Sequence, residues 1–195
     1  MTSHGPVVDR CLPGAMDEAW VEPLRAMLLR AYEGMTPPLT PEADEASRRQ
    51  AHDLWVFGRG GPPDTMLHVV RERDHPVAAA ISFTRRVIAE SGPITVLALS
   101  SVATDPPHRG HGHGLAVVRD AFARLASPGP RVCLFQTGLA RVFYEKLGAR
   151  CVDNWFFDGT SAAPKANPWS DRYVMIYPAA AAWPTGPIDL NGPKY

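Results

Sequence analysis

The 195-residue chain has no excess of either charge: Lys and Arg together number 20, and so do Asp and Glu. A chain with no net field exerts no general pull on nucleic acid or anionic lipid, so neither nucleic acid nor membrane is expected as a partner. Cysteine is scarce. Cys11, Cys133 and Cys151 form no C-x-x-C pair and sit in or beside apolar runs, which suits reduced thiols in a cytosolic protein better than a disulfide framework. No apolar run approaches the ~20 residues of a membrane span. The N-terminal "MTSHGPVVDRCLPG" also lacks the basic start and apolar stretch of a secretory signal, so a cytoplasmic location is expected. Apolar residues at 45% and charged residues at 21% exclude global disorder and a coiled coil.

Proline is abundant. Its 20 copies are about 10% of the chain, against a usual ~5%. They cluster at 37–41, 62–63, 106–107, 128–130 and 184–193, which marks stiff connections between elements. The length fits one domain over 1–195. The stretch from about residue 179, "AAAAWPTGPIDLNGPKY", reads as an irregular, proline-rich tail along the surface.

Between Met16 and Tyr32, Trp20, Leu24, Met27, Leu28 and Ala31 recur at helical spacing. Thr40 as a cap and Pro41 at a first helical position predict a second helix around Pro41 to Leu54. "MLHVV" and "PVAAAISFTRRVIAE" predict an antiparallel pair, and "PITVLALSSVAT" a central strand buried on both faces. "LAVVRDAFARLA" predicts a helix with Leu115, Val118, Phe122 and Leu125 on its inner stripe. "RVCLFQTG" predicts a strand, "LARVFYEKLGA" a helix closed near Gly148, and "CVDNWFFDG" and "YVMIYP" two further strands.

"PPHRGHGHG", residues 106–114, packs three histidines and three glycines between the central strand and the following helix. Three readings are open. His108, His111 and His113 could ligate a metal, but no Cys, Asp or Glu run completes a four-ligand set, and their spacing does not bring them together on one helix or strand face. A plain polar turn is the simplest alternative. The third reading is an anion cradle, in which glycines let the backbone approach a phosphate while the positive end of a helix lies behind it.

These residues carry a family resemblance. "RGHGHG", Arg109 to Gly114, resembles the Q/R-x-x-G-x-G/A segment with which the GCN5-related N-acetyltransferases hold the coenzyme A pyrophosphate, with Pro106 three residues ahead of the arginine. "ARVFYEKLGA", Ala140 to Ala149, resembles the same family's A-x-x-x-Y-E-K-x-G-F signature. The two motifs cover about residues 94–150 and the element order extends the resemblance from about 15 to 178. The implied fold class is α+β (the GNAT fold), a central mixed, mostly antiparallel sheet of about six to seven strands flanked by about four helices.

The resemblance implies acetyl-CoA as acyl donor and a primary amine of a small molecule as acceptor, with direct attack in a ternary complex. Backbone groups of Val102, Ala103 and Thr104 would hold the pantetheine arm, and Arg109, Gly110, His111, Gly112, His113 and Gly114 the pyrophosphate. The rings of His111 and His113 are expected to be exposed. Tyr144 would protonate the leaving thiolate, since a tyrosine with an ordinary pKa of ~10 is protonated at pH 7. The family's carboxylate on the fourth strand is replaced by Ser100, so a water relay from Ser100 is the expected route for the amine proton, with Glu90, Asp105 and His68 as alternatives. Thr137 stands where the family often has asparagine. Trp155, Phe156, Phe157 and Trp169 read either as core or as an aromatic wall for the acceptor.

The tail "WPTGPIDLNGPKY" resembles the ending of the rhizobial nodulation N-acyltransferases and, more loosely, of the aminoglycoside 2'-N-acetyltransferases. Both act on amino sugars, which extends the expected acceptors to amino sugars and aminoglycoside-like antibiotics. A longer acyl donor and a non-catalytic acyl-CoA-binding domain remain alternatives, and the family's habit of pairing through its late strands leaves a homodimer open.

Overall fold

The computed structural model describes residues 5–33, 45–46, 49, 62–125, 129–163 and 167–194. The chain divides into two compact units, Met1–Phe83 with Ser101–Ala121 and Thr84–Ser100 with Phe122–Tyr195. The described residues contain nine strands, more than the six to seven expected, and three α-helices. The class is α+β with a mostly antiparallel sheet, as the sequence predicts.

In the first unit, α1 (Glu18–Tyr32) is started by Asp17, whose side chain accepts from the Ala19 N–H at 3.0 Å. Leu24, Met27, Leu28 and Ala31 are all buried, so the apolar stripe read from the sequence is the face that packs. Of the helix expected around Pro41 to Leu54, only Glu45, Ala46 and Arg49 are described, all three helical; the rest lies outside the described residues. A strand that the periodicity did not reveal, β1 (Val8–Cys11), pairs antiparallel with β2 (Met66–Glu72). Four residues, two of them charged, are too few to show a period.

β2 and β3 (His75–Ala89) form the expected hairpin, with Arg73 and Asp74 of its turn at φ +46° and +67°. Pro76 to Phe83 are buried without a break, so this stretch of β3 is covered on both faces. β4 (Gly92–Thr104) lies between β3 and β5 (Cys133–Thr137), the central place predicted for it. The turn 105–112 leads to α2 (His113–Phe122).

The inner stripe of α2 differs from the one predicted. Val117, Val118, Ala121 and Phe122 are buried, whereas Leu115 and Leu125 are half-buried. The helix gives way to a tighter 3-10 turn at Ala123–Leu125, which removes Leu125 from the stripe. The buried stripe begins at His113.

In the second unit, β5 pairs antiparallel with β8 (Tyr173–Tyr177), which pairs with β6 (Arg150–Cys151). The short α3 (Arg141–Lys146) follows β5 and closes at Gly148, φ +91°. The single strand expected over "CVDNWFFDG" is two, β6 and β7 (Phe156–Phe157). The tail is not wholly irregular: β9 (Ile188–Asp189) pairs with β3 and β7, and Ile188 and Leu190 are fully buried. Arg85 fixes it by donating to the carbonyls of Leu190 at 2.9 Å and Pro193 at 2.6 Å.

Candidate functional site

The end of β4 is anchored before the turn begins. The Asp105 N–H donates to Val77 O at 2.8 Å, and its carboxylate receives two bonds from the Arg30 guanidinium, at 2.8 and 3.1 Å. A single 3-10 turn, Pro106–His108, follows. Gly110 and Gly112 then both adopt φ +84°, a left-handed conformation open to glycine at little cost. His111 between them is not left-handed, and alternation of left-handed with other residues is the backbone pattern from which anion-binding concavities are built. Behind them α2 begins, with the unsatisfied N–H groups and positive dipole end of its first turn.

Gly114 is required by packing. A Cβ there would lie 2.8 Å from Thr104 Oγ1, so the start of α2 rests directly on the end of β4. Arg109 is exposed, and its guanidinium donates to Ala31 O at 3.2 Å and Thr104 O at 3.4 Å. It thus supplies positive charge at the carbonyl end of α1 and ties the turn to that helix. Val102 O accepts from Tyr32 at 3.3 Å, and Ala103 is buried.

The histidines do not behave alike. His111 is exposed, as expected, but His113 is buried, with its Nε2 2.9 Å from Glu72 Oε1. Both His113 ring nitrogens are buried without a well-aligned hydrogen bond. The expectation of an exposed His113 fails because it is the first residue of the inward stripe of α2. Its ring stacks on His111 at 6.0 Å and lies 6.5 Å from that of His108. Among the described residues no group of three or more His, Cys, Asp or Glu could hold a metal ion.

Ser100 and Tyr144 lie in the second unit. The parallel ladder between β4 and β5 has only two pairs in register, Leu97 with Cys133 and Ala98 with Leu134. Phe135 to Thr137 continue to pair with β8. β4 also contains Ser101 at φ +51°, a conformation rare for a non-glycine residue in a strand and a mark of local distortion. Ser100, just before it, is half-buried.

Tyr144 is buried on α3, its ring 4.5 Å from Phe135 and 5.0 Å from Phe143. The loop before α3 is held by Thr137, whose Oγ1 accepts from the Ala140 N–H at 3.2 Å. Of the aromatic residues, Phe156 and Trp169 pack edge to face at 5.7 Å inside the unit, whereas Trp155 is 53% exposed. Core is therefore the right description for the first two.

The alternative proton acceptors are placed as follows. His68 is fully buried, with Nδ1 2.7 Å from Asp120 Oδ2 and Nε2 2.7 Å from Ser82 Oγ. Asp105 is held by Arg30, and Glu90 is exposed. His68 and Asp105 are thus committed to internal partners. The sequence reading missed Asp171, which lies 3.5 Å from the position a Cβ on Gly138 would occupy and whose carboxyl is raised by burial, with Lys194 opposing. It also missed Glu72, Arg30 and Tyr32, because nothing local in the sequence marks a residue whose partner comes from another element.

No family model and no curated protein sequence matches the chain. Solved structures do. A Corynebacterium glutamicum protein described as "histone acetyltransferase HPA2 and related acetyltransferase" superposes with a TM-score of 0.60 at 17% identity, covering 93% of this chain and 99% of that one. A GNAT-family acetyltransferase from Staphylococcus aureus gives 0.57 at 11% identity, over 87% and 98%. A GCN5-related N-acetyltransferase from Kribbella flavida gives 0.52 at 18% identity over 75% of this chain, which spans only 33% of that longer protein. Among the described residues no helix is long and apolar enough to cross a membrane. The nine-stranded arrangement, the glycine turn ahead of α2 and these superpositions agree on one conclusion: the chain has the fold of the GCN5-related N-acetyltransferases.

Proposed function

We propose that the protein is an N-acetyltransferase that moves the acetyl group of acetyl-CoA to a primary amine of a small molecule. The observation that carries this reading is the turn, where Gly110 and Gly112 at φ +84° and a Cβ-intolerant Gly114 shape a backbone cradle at the start of a ten-residue helix. Such a cradle binds pyrophosphate through N–H groups and the helix dipole. Gly110 to Gly114 would hold the pyrophosphate, and Arg109 keeps the cradle on α1. Val102 to Thr104 would lend backbone groups to the pantetheine arm.

In the reaction the amine nitrogen bonds to the thioester carbonyl carbon and the carbon–sulfur bond breaks. Tyr144 gives its phenolic proton to the departing thiolate, and the proton of the new ammonium leaves through water at Ser100. Acid–base assistance of this kind contributes about 10²–10⁴-fold. The three cysteines form no disulfide, which supports a reducing compartment, the cytoplasm.

Calorimetric titration with acetyl-CoA, CoA and a long-chain acyl-CoA, on the wild type and on Gly112→Trp, tests the cradle. Binding by the wild type that is lost in the variant is expected; no binding to any of them overturns the reading. Tyr144→Phe is expected to lower kcat about 10²-fold with acetyl-CoA affinity unchanged. An unchanged kcat removes Tyr144 from the chemistry.

A further inference from the structure

The first unit contains a second feature that the transferase reading does not use. A cavity of about 750 Å³ opens between α1 and the β2–β3 turn, lined by Pro23, Ala26 and Arg30, by Glu72, Arg73 and His75 to Val77, and by Asp105 and His108. Its size falls in the ~300–1,000 Å³ range of small-molecule sites. Its formal charges balance, Arg30 and Arg73 against Glu72 and Asp105, but they are unevenly paired. Arg30 and Asp105 neutralise each other through two hydrogen bonds, and Glu72 has His113 at 2.9 Å.

Two side chains, Arg73 and His75, and one ring nitrogen, Nδ1 of His108, are then left. Arg73 and His75 are exposed and have no hydrogen-bond or ion-pair partner among the described residues. His108 has a buried Nδ1 without a hydrogen bond: Asp105 Oδ2 is 3.9 Å from it and already bonded to Arg30, while on the other side of the ring Nε2 lies 3.8 Å from Glu72 Oε2. A buried nitrogen in that state is unfavourable until something bonds to it. Arg73 projects from a turn with two consecutive left-handed residues. The remaining wall is apolar, from Pro23, Ala26, Pro76 and Val77.

We propose that this cavity binds a small organic anion, one carboxylate or phosphate group on a short apolar body. The anionic group takes Arg73, His75 and His108, and the body lies against the proline and valine wall. The site adjoins the glycine turn, sharing Asp105 and His108 with the segment that leads into Gly110, and does not depend on the acetyl-transfer reading.

The test is a two-dimensional amide NMR titration of the full chain with butyrate, phenyl phosphate, inorganic phosphate and n-butylamine. Saturable shifts centred on Ala26, Arg73, His75 and Val77 are expected with butyrate or phenyl phosphate, and whichever binds tighter identifies the head group. Inorganic phosphate, lacking the apolar body, and n-butylamine, of opposite charge, are expected to bind at least tenfold more weakly. Arg73→Gln and His108→Gln each lower the affinity about tenfold, as loss of a hydrogen bond to a charged group does. Both variants are expected to retain their acetyl-CoA affinity. Shifts confined to Gly110–Gly114, binding of n-butylamine equal to that of the anions, or no saturable shift with any probe would each overturn the proposal.

Discussion

Gly114 offers a test of the local packing that is independent of any ligand. A methyl group there would stand 2.8 Å from Thr104 Oγ1, about 0.6 Å inside ordinary contact at 3.4 Å. Threonine is β-branched and stiff about χ1, so it does not yield freely, and overpacking of this kind costs about 1–3 kcal/mol. Alanine returns up to about 1 kcal/mol of helix propensity at the same position. Gly114→Ala is therefore expected to destabilise the protein by about 1 kcal/mol, a fall in Tm of about 2–4 °C for a chain of this size. In a Thr104→Ala background the obstructing oxygen is gone and only the propensity gain remains, so the same substitution is expected to stabilise. Urea denaturation of the four proteins closes the double-mutant cycle, with an expected coupling of about 1–3 kcal/mol. Equal effects of Gly114→Ala in the two backgrounds would refute the packing argument.

Two further expectations follow from the electrostatics. Burial alone would raise the Asp120 carboxyl, but hydrogen bonds from Arg10 and His68 outweigh it and hold the group below its ordinary value. Its stabilisation is therefore present above the unfolded pKa of ~3.9 and is lost as pH falls through the lower folded value. The stability gap between wild type and Asp120→Asn in urea is expected to shrink in acid below about pH 4; a gap that widens there contradicts the assignment. Burial also pushes the Cys133 thiol well up, and Cys11 and Cys151 are raised to lesser extents, again by burial first. A thiol reagent at pH 7 is expected to leave Cys133 unlabelled in the native protein and to label all three cysteines in urea, and native labelling of Cys133 would contradict its burial.

The parts of this protein that the sequence by itself determined are those in which one short segment contains its own reason. Leu24, Met27, Leu28 and Ala31 share a helix face by spacing alone, and they form the buried face of α1. The turn at 109–114 could be recognised because glycine is the residue that tolerates φ +84° and leaves no Cβ beneath Thr104. The buried run of β4 identified a central strand for the same local reason. The tertiary structure decided everything that needs a partner from elsewhere in the chain. His113 is buried because it heads the inward stripe of α2, where it meets Glu72 of the β2–β3 hairpin, His68 is locked between Asp120 and Ser82, and Arg109 is drawn to the carbonyl end of α1. The tail gains its strand because β3 and β7 supply hydrogen-bond partners that its own sequence lacks. Periodicity and turn chemistry act over a few residues, whereas burial, ion pairing and strand addition are set by which surfaces meet, and those meetings exist only in the folded chain.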